Sequence, residues 1–363
     1  MALEIGPRKS WIDEMGMKKT SLPEDFREFI ERASVEEIKA VFRDCDVNAR
    51  GGYGKESALA FDKLPDEVAA WLVEQGADLS ATDTWGNTPL HSRASSRRTS
   101  IRVLLSLGAD LNARNNRRET PLHSAALSHN PGSAHLLIEN GASIDEPNAE
   151  GLTPLELALR SCANMDIEAT AELSELLIEA GAMLTPRMKD FVTAIGKKFE
   201  FHRSNFAQDC VEAVSSALEK LYEIFEVTPV LPRQVHDGKS PIRPKSKKWQ
   251  EQHEELWQLL VPSSGQAVTV QGEVIRISGR ISDEMYRNGG ANWDKDFSKM
   301  ADVFLALVGT GRGLAQTELE EVRLIVRDLK KLDGDTRRMT ELAVKWVIQN
   351  PDPVKLSKQA YDR

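Results

Sequence analysis

Gly86-Asn87-Thr88-Pro89-Leu90-His91 is followed by a short helical stretch, by Val103-Leu104-Leu105, and then by Gly108-Ala109-Asp110-Leu111-Asn112. The same phrase returns at Glu119-Thr120-Pro121-Leu122-His123, with Leu136-Leu137-Ile138 and Gly141-Ala142-Ser143-Ile144-Asp145 behind it. It returns again at Gly151-Leu152-Thr153-Pro154-Leu155 and closes at Gly181-Ala182. Thr88 to Thr120 is 32 positions and Thr120 to Thr153 is 33; Gly76 to Gly108 is 32 and Gly108 to Gly141 is 33. Two independent landmarks keep one period, so the segment is a repeat array. The chemistry of each landmark agrees. Thr88 suits the cap of a helix, and Pro89 suits its first turn, where a missing N–H costs nothing. Gly108 falls where a helix ends in a left-handed residue. One such unit cannot bury its apolar face alone, and stacked units can.

A Thr-Pro-Leu-His turn at this period resembles the ankyrin-repeat family. The resemblance implies paired antiparallel helices joined by hairpins, with a concave face of hairpin tips and inner helices that binds other proteins. Mapped by position, the tips are Tyr53, Trp85, Asn116-Arg117 and Glu150. The inner-helix positions after the turn are Arg93, Ser96-Arg97, Ser128-His129 and Glu156. Trp, Tyr and Arg are the types enriched in binding hot spots. Tyr53, Trp85, Arg93, Arg97, Asn116, Arg117, His129 and Glu150 are therefore the expected contacts on this face. His91 and His123 have the structural task of bridging backbone groups of adjacent turns.

Outward from this centre the phrase decays. Residues 1–21 read as an N-terminal arm, with Trp11 and Met15 as apolar points that can fold back. Residues 22–190 read as about five repeats, the first degenerate: Phe26, Phe29 and Ile30 mark one helical face, and Ile38, Val41 and Phe42 the next. Asp44-Cys45-Asp46-Val47-Asn48 is a damaged copy of the closing phrase, as a capping unit should carry. Gly51-Gly52-Tyr53-Gly54 reads as a hairpin tip. The fifth repeat is long, 40 positions from Gly141 to Gly181, and its surplus falls near 161–168. Residues 191–227 read as a helical extension over the end of the array. Residues 228–246 hold Pro229, Pro232, Pro241 and Pro244 and read as a basic, semi-rigid linker. Residues 247–363 read as a helical C-terminal domain. The expected class is all-α by content: an ankyrin-repeat solenoid with a helical extension, then a helical domain.

Sites of chemistry are not expected. His129 and His135 lack carboxylate partners at metal-ligand spacing, and no serine or cysteine sits in a nucleophile elbow. Gly309-Thr310-Gly311-Arg312-Gly313 follows a helix rather than a strand and lacks the ending of a phosphate loop. Cys45, Cys162 and Cys210 have no paired spacing. No cofactor is expected. A net charge of −9 disfavours nucleic acid and favours a basic partner. No apolar run suits a signal peptide or a membrane span, so a cytoplasmic protein is expected.

The densest polar constellation is Arg276, Arg280, Glu284, Arg287, Asn288, Asn292, Trp293 and Asp294. It reads mainly as salt bridges within the domain, with Arg276, Arg280, Arg287 and Trp293 as candidate partner contacts. The block from Leu260-Val261-Pro262 through Gln271-Gly272-Glu273 to Asn292-Trp293-Asp294 resembles uncharacterised bacterial proteins. Some ankyrin-repeat proteins of that kind accompany secreted toxins as immunity proteins. That resemblance implies a protein that occludes a basic toxin or effector domain. The competing classes are an adaptor or scaffold with a regulatory C-terminal domain and, more remotely, an enzyme using that domain.

Overall fold

The computed structural model describes residues 18–98 and 100–361; Trp11 and Met15 lie outside them. Two compact units emerge. One runs through Lys198 and adds Gln208–Pro229; the other joins Phe199–Ala207 to the chain from Val230 onward.

In the first unit the end of the expected arm is a strand. β1 (Lys19–Ser21) lies parallel to β2 (Cys45–Gly51), which pairs antiparallel with β3 (Glu56–Ser57). The β2–β3 hairpin puts Tyr53 at its tip, as the glycine-rich stretch predicts. α1 (Phe26–Ile30) and α2 (Val35–Asp44) form the degenerate first repeat. Phe26, Ile30, Ile38 and Phe42 are buried between them and the next unit. Ser34 and Glu37 start α2 with a reciprocal capping box that satisfies two N–H groups of the first turn.

Helix pairs follow in register: α3 (Asp66–Glu74), α4 (Pro89–Ala94) with α5 (Arg102–Ser106), α6 (Pro121–Leu127) with α7 (Pro131–Glu139), and α8 (Pro154–Ser161) with α9 (Ile167–Glu179). The leucines of the repeated phrase, Leu90, Leu122 and Leu155, are buried, each contributing about 1.5–3 kcal/mol of apolar transfer. Gly76, Gly108, Gly141 and Gly181 all adopt positive φ where the outer helices end. The surplus of the fifth repeat is shared between a connection that contains a short 3-10 turn, Asn164–Asp166, and a longer outer helix, 13 residues in α9 against 9 in α7.

The array ends on a charged lock. Glu156 is fully buried. Arg187 donates to both its oxygens at 2.5 and 2.6 Å, and the Thr185 hydroxyl donates at 2.6 Å. Burial pushes the Glu156 carboxyl up, but these hydrogen bonds outweigh it and hold the group below the usual carboxylate range. α10 (Pro186–His202) and α11 (Gln208–Ile224) follow, with α11 packed on α9. The stretch expected as one extension, 191–227, is thus divided: Phe199–Ala207 belongs to the second unit.

The second unit is helical, as expected. α12 (Trp249–Leu260), α14 (Lys295–Val308) and α16 (Thr336–Gln349) pack around a central α13 (Val270–Asn288), and α15 (Gln316–Leu329) packs on α14 and α16. Val274, Ile277, Phe304, Leu342 and Trp346 lie in their common core. A Cβ on Gly279 would fall 2.3 Å from Cζ3 of Trp257, so glycine there lets α12 press against α13. The segment read as a linker differs from that reading beyond Val230. Ile242 is buried and donates its N–H to the Pro351 carbonyl at 2.7 Å. Arg233 donates to the carbonyls of Trp257, Gln258 and Val261, the last turn of α12. The last carbonyls of a helix lack a full set of partners within it. The Trp257 carbonyl takes the Val261 N–H at 3.1 Å, and a proline-rich segment carrying one arginine adds the remaining donors.

Candidate partner-binding surface

The three hairpin tips beyond the Tyr53 hairpin are each built by an Asp or Asn that the sequence reading passed over. Asp83 accepts the N–H groups of Trp85 and Asn87, both at 2.8 Å. Asn115 accepts those of Arg117 and Glu119 at 2.9 Å. Asn148 accepts those of Glu150 and Leu152 at 3.0 Å. An Asx side chain of this kind closes a turn on its own backbone. The residue two places on is therefore displayed: Trp85, Arg117 and Glu150. Successive tips are then zipped by backbone bonds, Thr84 N–H to Gly54, Asn116 N–H to Trp85 and Ala149 N–H to Arg117, at 2.8–3.0 Å. Gly86 makes room for this: at φ +80° a Cβ there would lie 2.7 Å from the Asn116 nitrogen.

Behind the tips, the imidazoles of His91 and His123 fix the turns. Nδ1 of His91 accepts the Thr88 N–H at 3.2 Å, and Nε2–H donates to the Glu119 carbonyl at 2.9 Å. His123 repeats this with Thr120 and Leu152. Burial pushes both imidazoles below their ordinary range, so they work as neutral bridges.

A groove of about 760 Å³ runs along this face. Trp85, Asn116 and Arg117 line one side, and the inner helices contribute Ser92, Ser95, Ser96, Ser124, Leu127 and Ser128. Carboxylates outnumber guanidiniums on the lining: Glu56, Asp62, Asp83 and Glu119 against Arg27 and Arg117, a formal −2 from 2 − 4. Trp85 is 48% exposed and Tyr53 94%, and their ring centroids are 6.0 Å apart.

The structure brings some predicted contacts together and removes others. Trp85, Asn116 and Arg117 share the groove, with Tyr53 beside Trp85. Glu150 is exposed at its tip and paired with Arg160. Arg97 is exposed but tied to the Ser128 carbonyl and to Asp166, both at 2.8 Å. Arg93 is not a surface residue. It is fully buried and reaches back to the Leu59 and Leu64 carbonyls at 2.9 and 3.3 Å. His129 is not one either: its Nε2–H donates to the Ala158 carbonyl at 3.1 Å from a buried position. Glu156 is the buried lock described above.

The reason is helix geometry. Along the inner helices and the residues just past their ends, the third, sixth and seventh positions after the proline face the groove, and the fourth faces the preceding repeat. Ser92, Ser95 and Ser96 thus correspond to Ser124, Leu127 and Ser128, each 32 positions on. The sequence held this signal, because the place of Arg93 in the next repeat is Ala125, a core residue type that is fully buried.

In the second unit the expected charged face is likewise divided. Arg276 is buried against Glu273, with Nε and Nη2 donating at 3.0 and 2.8 Å, and the Tyr361 hydroxyl donates to the same carboxylate. It is unavailable to a partner. Arg280 is exposed. Arg287 pairs with Asp283 at 2.8 Å in solvent. Trp293 is half-buried, donates to Ser298 at 3.1 Å and stacks on Phe297. Among the described residues no cluster of His, Cys, Asp or Glu is placed to hold a metal ion, and no helix is long and apolar enough to cross a membrane. Cys45 and Cys162 are buried free thiols; Cys210 is exposed.

No curated protein matches the chain. Residues 57–148 and 101–185 match the family model of ankyrin repeats, in three copies. With the hairpin ladder and paired helices in the same segment, the N-terminal half of the chain carries ankyrin repeats, a protein–protein interaction module.

Proposed function

We propose that the array binds another protein in the groove beneath Trp85 and Arg117. The observation that carries this reading is the row of tips: two side chains of hot-spot type held over a polar groove by a continuous backbone ladder. Such a surface is ordered before it binds, so little conformational entropy is lost on association. The acidic lining and the −9 charge of the chain favour a basic partner and speed its approach. Within this reading the protein is a cytoplasmic inhibitor that occludes a basic toxin or effector domain. That narrower role is supported by the resemblance of the Leu260–Asp294 block together with the charge. An adaptor would use the same groove without inhibiting its partner.

A sequestering complex near 1 nM needs about −12 kcal/mol, of which a central anchor carries about 2 kcal/mol or more. Affinity capture from the source cells with wild-type protein and with the Trp85→Ala, Arg117→Ala double variant tests the site. The variant should bind the captured partner at least about thirtyfold more weakly while melting as the wild type does. Undiminished affinity in the variant would remove the groove from the binding site. Loss of the partner's toxic activity in the complex separates the inhibitor from the adaptor.

A further inference from the structure

The groove already shows how it holds a cation. The guanidinium of Arg27 lies 5.1 Å from the centroid of the Phe61 ring and 3.8 Å from the Asp62 carboxylate. An aromatic face and a carboxylate together receive one positive charge. The next position along the groove repeats that pairing with no cation of its own. A Cβ on Gly54 would fall 2.3 Å from Cζ3 of Trp85 and 3.1 Å from Oε1 of Glu56, so the indole and the carboxylate converge on the same backbone atom. Asp83, at the base of the Trp85 turn, adds a second carboxylate to this end of the groove. Among the described residues neither Glu56 nor Asp83 is in an ion pair, and Oε2 of Glu56 is buried without a hydrogen-bond donor. Trp85 keeps about half its surface open and has Tyr53 as a neighbouring ring. Beyond it the hydroxyls of Ser92 and Ser124 form no hydrogen bond within the described residues and stand ready for a polar backbone.

We infer that the Trp85–Glu56 corner is a cation subsite that takes a lysine or arginine side chain from an extended segment of the protein partner. The charge complementarity decides the occupant. A negative lining attracts the cation, and the indole is the aromatic ring that holds one best. An apolar or acidic side chain would leave Glu56 without a counter-charge. The inference rests on the proposed binding groove and names the chemistry it selects.

The test uses the full chain and a defined probe: a short, unstructured, fluorescent peptide alternating lysine with serine. Its counterpart carries glutamine in place of lysine. The lysine peptide should bind saturably and shift the indole N–H resonance of Trp85, assigned by its loss in Trp85→Leu. Trp85→Leu keeps the apolar bulk, and Glu56→Gln keeps the shape. Each should weaken the lysine peptide about tenfold without changing the melting temperature. The glutamine peptide should bind wild type and variants alike. Equal binding of the two peptides by the wild type would overturn the inference, and so would wild-type affinity for the lysine peptide in both variants. If the captured partner depends on Trp85 and Arg117 while the lysine peptide does not discriminate, the groove stands and the cation subsite falls. If neither depends on them, both fall.

Discussion

His91, His123 and Glu156 occupy one place in three successive turns, 32 and 33 positions apart. All three side chains accept the N–H of a capping threonine, Thr88, Thr120 and Thr153. They differ in the second bond. The histidines donate to the next turn, whereas Glu156 can only accept and takes Arg187 as its donor. Burial holds both imidazoles below their ordinary range, and a protonated ring would besides point a donor at the threonine N–H. The unfolded chain takes up these protons near pH 6.5. Below that the unfolded state binds protons that the folded state refuses, so stability falls as pH falls. The carboxylates titrate lower, so the window from about pH 7.5 to 5.5 isolates the histidines. The double variant His91→Gln, His123→Gln keeps a Thr-x-x-Gln capping box. Its denaturant midpoint should fall less across that window than the wild-type midpoint. His253 of the second unit is also held low by burial, but it is common to both proteins and cancels in the comparison. Parallel slopes would mean that the imidazoles are not the groups that titrate.

At the scale of elements, the register of the array rests on leucines such as Leu122, fully buried at the start of α6. Leu122→Ala should cost roughly 2–5 kcal/mol. The loss should spread into α4 and α8, whose contacts with α6 make a shared interface. Hydrogen exchange of those helices, read beside the melting curve, checks it; protection lost in α6 alone would separate the repeats. This register was legible because a turn, a cap and a closing glycine must all recur together for units to stack. The tips were legible for the same reason, and Tyr53, Trp85 and Arg117 lie where the spacing puts them. The inner-helix contacts were read only in part: Ser96 and Ser128 line the groove, whereas Arg93 and His129 are buried. α4 holds six residues, less than two turns, so one residue of miscounting swings a side chain about 100°. That error placed Arg93 outside, where it is buried, and hid Ser92, Ser124 and Leu127. In α13 the spacing of Arg276 and Arg280 by four suggested one shared face. Their burial differs because Glu273 and Tyr361, the latter 88 positions from its acceptor, enclose only Arg276.

The whole chain is divided in a way that the proline count concealed. Four prolines between 228 and 246 announced an extended segment, and extended it is, but from Arg233 onward its hydrogen bonds are used. His236 donates its N–H to Leu259 at 2.9 Å, and Arg233 lies 4.2 Å over the ring of Phe201 while capping α12. Side chains such as Val235 are exposed here as well, but the stretch around 226–232 lacks those anchors to the second unit, with Leu231 82% accessible. A broad-specificity protease should therefore cut the native protein first at 226–232, and residues 233–246 should stay on the C-terminal fragment. In Arg233→Ala the cut should spread into 233–246. The nicked wild-type protein has a further consequence. Its N-terminal fragment keeps Phe199–Ala207, a stretch that belongs to the second unit. There the Phe201 ring stacks on Trp257 at 6.3 Å, and Ser263 donates to Asn205 at 2.8 Å. The two fragments should then run as two bands on a denaturing gel and as one species in native size-exclusion chromatography. Two native peaks would show that the 199–207 corner does not hold the second unit together, and an early cut within 233–246 of the wild type would return that segment to the role of a free linker.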